Sequence, residues 1–244
     1  MSDSCPKCGG LGMLKTESGS KPCSCQFERQ QAARLNRLKV PAKFAQATLD
    51  SYIAGPQTFQ ALSMARRYVD EFIPGQTRTG LLFYGPVGVG KTHLGIGILK
   101  KLAEEKGIEG RMVDLRDLLD QLRSSYDERN ERSQESQAQV LASILKVDLV
   151  LIDELGAAKP SDWVYETLEL LIGKLYNRSM PVIVTTNLCN RGPGAAYQDR
   201  DNEYARTTIQ PTLGDRIGAR MYSRLQQMCR PIEINGPDWR QLKA

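Results

Sequence analysis

Short apolar runs alternate with longer amphipathic stretches from about residue 45 to the C-terminus. The continuous apolar runs predict buried strands, and apolar residues at three- and four-residue spacing predict helices. The predicted strands are residues 80–84, 111–113, 148–152, 181–186 and 232–234, and the predicted helices are residues 58–72, 91–106, 115–127, 162–178 and 213–228. Because strands and helices alternate, we predict an α/β fold with a parallel sheet and helices on both faces.

The first part of the chain lacks this alternation. Residues 1–25 are rich in Gly, Ser, Lys and Cys, and residues 26–39 are good helix formers that end before Pro41. This predicted helix has a thin apolar side and basic other faces, which is typical of a connector or partner-binding helix. We therefore divide the chain into segments 1–25, 26–44 and 45–244. Residues 129–139 are predicted as exposed helix or loop, and residues 190–211 as a polar insertion without an assigned role.

Composition and charge narrow the class of protein. The 244 residues are 41% hydrophobic and 25% charged, which are ordinary globular values. No apolar run approaches the ~20 residues of a membrane span, and no secretory signal begins the chain, so we expect a cytoplasmic protein without membrane contact. The single histidine excludes sites built from several histidines. Residues 1–45 hold eight Lys and Arg against three Asp and Glu, whereas the rest holds 25 of each. This surplus suits a nucleic acid or an acidic protein and selects neither.

A glycine-rich loop follows the first predicted strand of the α/β region. Its sequence fits G-x-x-x-x-G-K-[ST], between a strand and a helix, as a phosphate-binding loop requires. Backbone N–H groups of such a loop surround phosphates, the lysine reaches the β- and γ-phosphates, and the hydroxyl ligates Mg²⁺. The predicted nucleotide-binding residues are Gly85, Pro86, Val87, Gly88, Val89, Gly90, Lys91 and Thr92, with His93 directly after them. His93 is more readily explained by packing or hydrogen bonding than by catalysis.

Polar residues end two further predicted strands. Asp153 and Glu154 follow a strongly apolar run, at the strand end where ligands of open α/β sheets bind. We predict that Asp153 holds Mg²⁺ and that Glu154 accepts a proton from the attacking water. Asn187 can orient that water or sense the γ-phosphate, although a turn role would also explain it. Asp148 begins its strand and is expected at the far end. ATP is favoured over GTP because no Asn-Lys-x-Asp guanine-reading motif is present.

Four of the six cysteines lie within the first 25 residues. Cys5 and Cys8 form a C-x-x-C pair before glycines, and Cys23 and Cys25 form a C-x-C pair after fourteen intervening residues. Four thiolates suit tetrahedral Zn²⁺, which would stabilise a segment too short for a core. A redox pair is the main alternative, and an iron–sulfur cluster is a more distant one.

Several motifs together resemble the AAA+ bacterial replicative helicase loaders of the DnaC/DnaI type. They are Gly-Lys-Thr-His-Leu at the loop, Ile-Asp-Glu-Leu-Gly at 152–156, Thr-Thr-Asn-Leu at 185–188, Ser-Arg-Leu-Gln-Gln-Met-Cys at 223–229 and the final Asp-Trp-Arg. The resemblance spans about residues 40–242, and transposase-helper ATPases of the IstB type share the same core. It implies that Arg224 is an arginine finger, with Arg220 and Arg216 as competitors on one predicted helix face, and that Arg240 occupies the C-terminal sensor position.

The resemblance also implies partners. It suggests that residues 1–40 bind a DnaB-type replicative helicase, that subunits self-associate, and that the AAA+ domain contacts single-stranded DNA. Arg116 and Arg123, on the 115–127 helix, are candidates for the DNA contact. Two alternatives remain open at this point. One is an IstB-like helper of transposition, and the other is a zinc-dependent nucleic-acid adaptor in which ATP is only a structural ligand.

Overall fold

The computed structural model describes residues 5–16, 19–124, 137–195 and 210–242. Most of the predicted 129–139 segment and most of the 190–211 insertion lie outside these ranges. The strands are β1 (Met13–Thr16), β2 (Gly19–Pro22), β3 (Gly80–Tyr84), β4 (Gly110–Asp114), β5 (Leu149–Asp153), β6 (Val182–Thr186) and β7 (Cys229–Glu233). The helices are α1 (Ser24–Arg37), α2 (Phe59–Glu71), α3 (Lys91–Glu105), α4 (Leu115–Ser124), α5 (Gln137–Ile144), α6 (Asp162–Asn177), α7 (Leu213–Ile217), α8 (Ala219–Met228) and α9 (Trp239–Leu242), with a short 3₁₀ turn at Ala42–Phe44.

Five strands form one parallel sheet in the order β4-β5-β6-β3-β7. The predicted α/β class, the parallel sheet and the five predicted strands are therefore confirmed, with the bounds of β3 as predicted and the others shifted by up to three residues. The order is not sequential, because β3 lies between β6 and β7. All carboxyl ends meet at one edge of the sheet, so β3 and β5 end on either side of β6.

The sheet is covered on both faces. Leu82, Val150 and Val184 belong to one buried cluster. Leu81, Phe83 and their neighbours belong to a second cluster on the opposite face. Successive residues of a strand point to opposite faces, so a strand buried on both sides needs the unbroken apolar runs seen in the sequence. Within the described ranges, no helix is long and apolar enough to cross a membrane.

Helix α1 joins the N-terminal hairpin to the α/β region. Its C-terminal half contacts α3, where the Arg34 guanidinium donates to the Ala103 carbonyl over 3.4 Å. Leu38, just beyond the helix, is fully buried, and its carbonyl accepts the Met112 N–H of β4. The antiparallel hairpin β1–β2 was not predicted, because it is short and exposed and lacks apolar alternation.

The predicted helix 213–228 is wrong as a single element. Gly218 has φ +84° and ψ 156°, so it ends α7 and precedes α8. The capping box between Thr212 and Asp215 begins α7 independently. Arg216 therefore lies on α7, whereas Arg220 and Arg224 lie on α8, and the expected common face of three arginines does not exist. A glycine outside helical φ and ψ breaks the hydrogen-bond ladder that the apolar periodicity had suggested.

Candidate functional site

The glycine-rich loop connects β3 to α3, as predicted. Gly88 has φ +81° and Gly90 has φ +94°, in the left-handed region that favours glycine. A Cβ at Gly88 would collide with the Asp238 carboxylate, and one at Gly90 would collide with the Tyr52 ring. The Tyr52 hydroxyl also donates to the Val89 carbonyl over 2.9 Å. The loop apex is thus held between a tyrosine from before α2 and an aspartate beside α9.

Lys91 begins α3 and is almost entirely buried, with 6% of its surface exposed. Its Nζ donates to the Gly85 carbonyl over 2.8 Å and to the Pro86 carbonyl. Burial lowers the pKa of Lys91 to about 8, with a smaller lowering from the positive Arg240 and an opposing effect of Asp153. The ammonium group is therefore desolvated inside the loop, where added negative charge would stabilise its protonated form.

Asp153 ends β5 and is also buried. Its Oδ1 accepts from the Thr92 hydroxyl over 2.8 Å and from the Thr185 hydroxyl over 2.6 Å. Burial raises the pKa of Asp153 although both hydrogen bonds act to lower it. A hydroxyl and a carboxylate this close are hard oxygen donors of the kind that Mg²⁺ prefers. The contact of Asp153 with Thr185 of β6 was not foreseen, because it depends on the register between strands.

Glu154 directly follows β5 and has φ +56°, an uncommon value for a residue with a side chain. Its N–H donates to the Thr185 hydroxyl over 3.0 Å. The Glu154 side chain is 39% exposed, and its carboxylate lies 4.0 Å from the Arg116 guanidinium of α4. It can therefore meet water at the edge where Asp153 is buried. Asn187 is exposed one residue after β6, at the same edge of the sheet.

Asp148 lies at the opposite end of β5, as expected from its position before the apolar run. Its Oδ2 accepts the Glu109 N–H over 2.8 Å, ahead of β4. A hydrogen bond with a structural role therefore joins the residues that precede β4 and β5. Asp153 and Glu154 lie at the opposite, carboxyl edge of the sheet.

A pocket of about 480 Å³ adjoins the loop. It is lined by loop residues, by part of the 43–51 segment, and by Trp239 and Arg240 of α9. The predicted sensor residue Arg240 thus reaches the site, and α9 and Trp239 were missed because four residues are too few for a periodic signal. His93 Nε2 lies 2.8 Å from the Thr48 carbonyl, and its ring packs edge-on to Tyr52 at 5.3 Å. These contacts fit the packing role expected for His93.

The two arginines predicted as fingers lie on α8 against α6 of their own chain. The Arg220 Nη1 donates to the Glu169 carboxylate over 2.6 Å. The Arg224 guanidinium lies over the Tyr176 ring, 5.5 Å from its centroid. The predicted site residues that line this pocket are Gly88, Gly90, Lys91, Thr92, His93 and Arg240. Asp153 contacts Thr92, whereas the α8 arginines form separate contacts.

The four N-terminal cysteines converge, with all their sulfur atoms within 4.8 Å of one another. The Sγ atoms of Cys5 and Cys23 are 3.8 Å apart, and those of Cys8 and Cys25 are 3.5 Å apart. Tetrahedral Zn²⁺ with Zn–S bonds of about 2.3 Å requires sulfur atoms about 3.8 Å apart. The Gly12 N–H donates to the Cys8 sulfur over 3.2 Å, as expected beside a thiolate. The donor set therefore fits Zn²⁺.

The five-stranded parallel sheet with helices on both faces matches the P-loop structures of the AAA+ class. The sequence profile of the IstB-like ATP-binding proteins matches residues 26–241. The chain therefore belongs to the IstB-like ATP-binding protein family.

Two curated relatives represent different biological contexts. The replicative helicase loader DnaC of Escherichia coli K12 is 29% identical over 127 residues, which are 52% of this chain and 49% of DnaC. An ATP-binding protein of insertion sequence IS5376 from Geobacillus stearothermophilus is 31% identical over 110 residues, which are 45% of this chain and 41% of that protein. The chain thus matches no more than about half the length of these relatives.

Solved structures are similar over more of the chain. The crystal structure of the DnaC helicase loader is 29% identical, covers 80% of this chain and all of its own, and has a TM-score of 0.64. The DnaI structure is 24% identical, covers 86% of this chain and 98% of its own, and has a TM-score of 0.59. AMPPCP-bound DnaA from Aquifex aeolicus is 18% identical, covers 78% of this chain and 50% of its own, and has a TM-score of 0.58. The last two establish the fold alone.

Proposed function

We propose that the chain hydrolyses ATP at the edge of the sheet formed by the ends of β3, β5 and β6. The hydrogen bond from Thr92 to Asp153, directly beside the buried Lys91, is the observation that carries this proposal. Thr92 and Asp153 would hold Mg²⁺, which supplies positive charge to the phosphates when bound. Lys91 neutralises charge on the β- and γ-phosphates, and backbone N–H groups of the loop orient them.

Glu154 takes the general-base role in this proposal. Its exposed carboxylate accepts the proton of a water molecule as the water oxygen attacks the γ-phosphorus and the bond to ADP breaks. Asn187, at the end of the neighbouring strand, orients this water. Arg224 of an adjoining subunit supplies transition-state charge, with Arg220 as the competing residue, and this role requires self-association of subunits. Arg240 senses the nucleotide from α9.

We further propose that this ATPase loads a DnaB-type replicative helicase onto single-stranded DNA in the bacterial cytoplasm. The likeness to the DnaC loader supports this assignment. Residues 1–25 form a zinc-binding module through Cys5, Cys8, Cys23 and Cys25, the basic 26–44 segment connects it, and 45–244 form the AAA+ domain. Most of the positive surplus of residues 1–45 lies in the basic 26–44 segment, and it supports docking of residues 1–40 on the helicase. The DNA contact uses local basic residues, including Arg116 and Arg123 of α4.

A helper role in DNA transposition is the second candidate. The family profile and the insertion-sequence relative favour it. Such a helper would assemble on duplex DNA and activate a transposase, whereas a loader would prefer single strands and hold a helicase. Both candidates use the same ATP chemistry, so they differ in macromolecular partner.

Replacement of Glu154 by Gln tests the ATPase proposal. We expect DNA-stimulated turnover to fall at least a hundredfold while ATP binding persists, because the amide cannot accept the proton. Asp148→Asn is the matched control at the far end of β5, and it should retain turnover. If Glu154→Gln hydrolyses ATP like the wild type, the base assignment is wrong. A preference of the wild-type stimulation for duplex over single-stranded DNA would favour the transposition helper.

A further inference from the structure

The chain returns across the phosphate loop after its last strand. The Trp239 N–H donates to the Gly88 carbonyl over 3.3 Å, and the Asp238 side chain occupies the space beside the Gly88 Cα. The Asp238 carboxylate accepts the Arg240 N–H over 2.9 Å, which fixes the start of α9. The backbone of Trp239 is thereby tied to the apex of the loop that would hold the phosphates.

Aromatic side chains surround the space next to this apex. Trp239 lines both the 480 Å³ pocket and an adjoining cavity of about 80 Å³. Gly90 and His93 also line both spaces, Tyr52 lines the smaller one, and Phe44 lines the larger one. A nucleotide whose phosphates occupy the loop must place its nucleoside outside the loop, and this pocket is continuous with it. Flat aromatic walls are suited to contact the face of a purine base.

The indole nitrogen of Trp239 is a second indication that a ligand binds here. Its Nε1 is buried and has no hydrogen-bond partner among the described residues. Buried donors without partners are unfavourable and uncommon in folded proteins. The ribose oxygens of a nucleoside whose base contacts the indole are acceptors that a bound nucleotide would bring to this pocket.

We propose that Trp239 contacts the base of the bound nucleotide and is a determinant of nucleoside binding. This inference rests on the proposed binding of ATP at the phosphate loop. Phe44, Tyr52 and His93 supply other parts of the lining of these two spaces, and the short helix α9 carries the indole. Trp239 therefore acts on the nucleoside, and Lys91 acts on the phosphates, from two ends of one site.

Fluorescence of Trp239 tests this contact directly. The chain has two tryptophans, so Trp163→Phe leaves Trp239 as the single reporter. With Glu154→Gln added to stop hydrolysis, ATP and Mg²⁺ should change the emission saturably. Inorganic tripolyphosphate occupies the loop without supplying a base, so it should leave the emission nearly unchanged. An equal response to both ligands would overturn the base contact, and so would the absence of a response to ATP when calorimetry shows that ATP binds.

Affinity measurements provide an independent readout. Trp239→Ala should weaken ATP binding about tenfold and leave tripolyphosphate binding unchanged, because only the nucleoside contact is lost. Trp239→Phe should recover most of the affinity through its ring. Equal losses for both ligands would show that Trp239 acts on the loop alone and would overturn the inference. If the wild type bound tripolyphosphate but not ATP, both the proposed ATPase function and the contact of Trp239 with the base would be contradicted. Unchanged circular dichroism would verify that the variants fold.

Discussion

The nucleotide site and the cysteine cluster differ in what holds their residues in place. The phosphate loop and Asp153 lie at the end of a five-stranded sheet that is buried on both faces. The four cysteines flank a two-stranded hairpin, and the apolar cluster there consists of the cysteines themselves and Leu14. In the first region the fold positions the site, whereas in the second the proposed metal site would hold the fold together.

The two regions should therefore respond differently to the removal of a side chain. Removal of a nucleotide-site side chain should abolish chemistry without unfolding the sheet, because hundreds of buried apolar atoms remain packed. Removal of a cysteine should unfold its module, because little else stabilises such a short segment.

The largest effect is expected for Lys91→Ala. ATP hydrolysis should fall about a thousandfold or more, because the charge on the phosphates is no longer neutralised. The melting temperature should not fall, since the change removes a desolvated ammonium group. Lys101→Ala, on the exposed side of α3, is the matched control and should retain activity. A large loss of thermal stability in Lys91→Ala would contradict the claim that the fold supports this site.

Cys8→Ser should release the metal and unfold the N-terminal hairpin. We expect bound zinc, measured by atomic absorption, to fall from about one per chain to near zero. Amide exchange should become fast in residues 5–25 and stay slow in the sheet, and basal ATPase should stay within about twofold. Cys189→Ser, outside the cluster, should retain the metal. Loss of protection in the sheet would show that the two regions are not independent.

Thr185→Val should slow hydrolysis by about tenfold to a hundredfold. The hydroxyl of Thr185 positions both the Asp153 carboxylate and the Glu154 backbone, so kcat should fall more than the affinity for ATP. Thr186→Val is the neighbouring control, because its hydroxyl bonds the Leu155 carbonyl instead. Equal kinetics of the two variants would refute the positioning role of Thr185.

The smallest expected effect is the uptake of protons when nucleotide binds. Burial lowers the pKa of Lys91 to about 8, so about half of the free protein carries a neutral Lys91 at pH 8. Phosphate charge raises this pKa, so nucleotide binding should take up about half a proton at pH 8 and much less at pH 7. Calorimetry in buffers of different ionisation enthalpy measures this uptake. The same uptake at both pH values would contradict the assignment.

The α/β region could be predicted because its signals are local. The loop before Lys91 and the apolar run before Asp153 each lie within about ten residues of sequence. The hydrogen bond of Asp153 to Thr185 could not be predicted, because it arises from the register of two strands distant in sequence. Gly218 was overlooked because apolar spacing continues across it, although its backbone ends the helix. Trp239 was overlooked as a pocket residue because its position depends on how the chain returns over the loop.

The most direct test of the loader assignment is capture of a purified DnaB-type hexameric helicase by the full chain, with ATP present and zinc retained. We expect capture by the wild type and by Glu154→Gln, and loss of capture after Cys8→Ser even though ATP still binds. If the zinc-loaded, ATP-bound wild type does not capture the helicase, the loader assignment is contradicted. If Cys8→Ser captures it as well as the wild type, the docking role of the N-terminal module is contradicted.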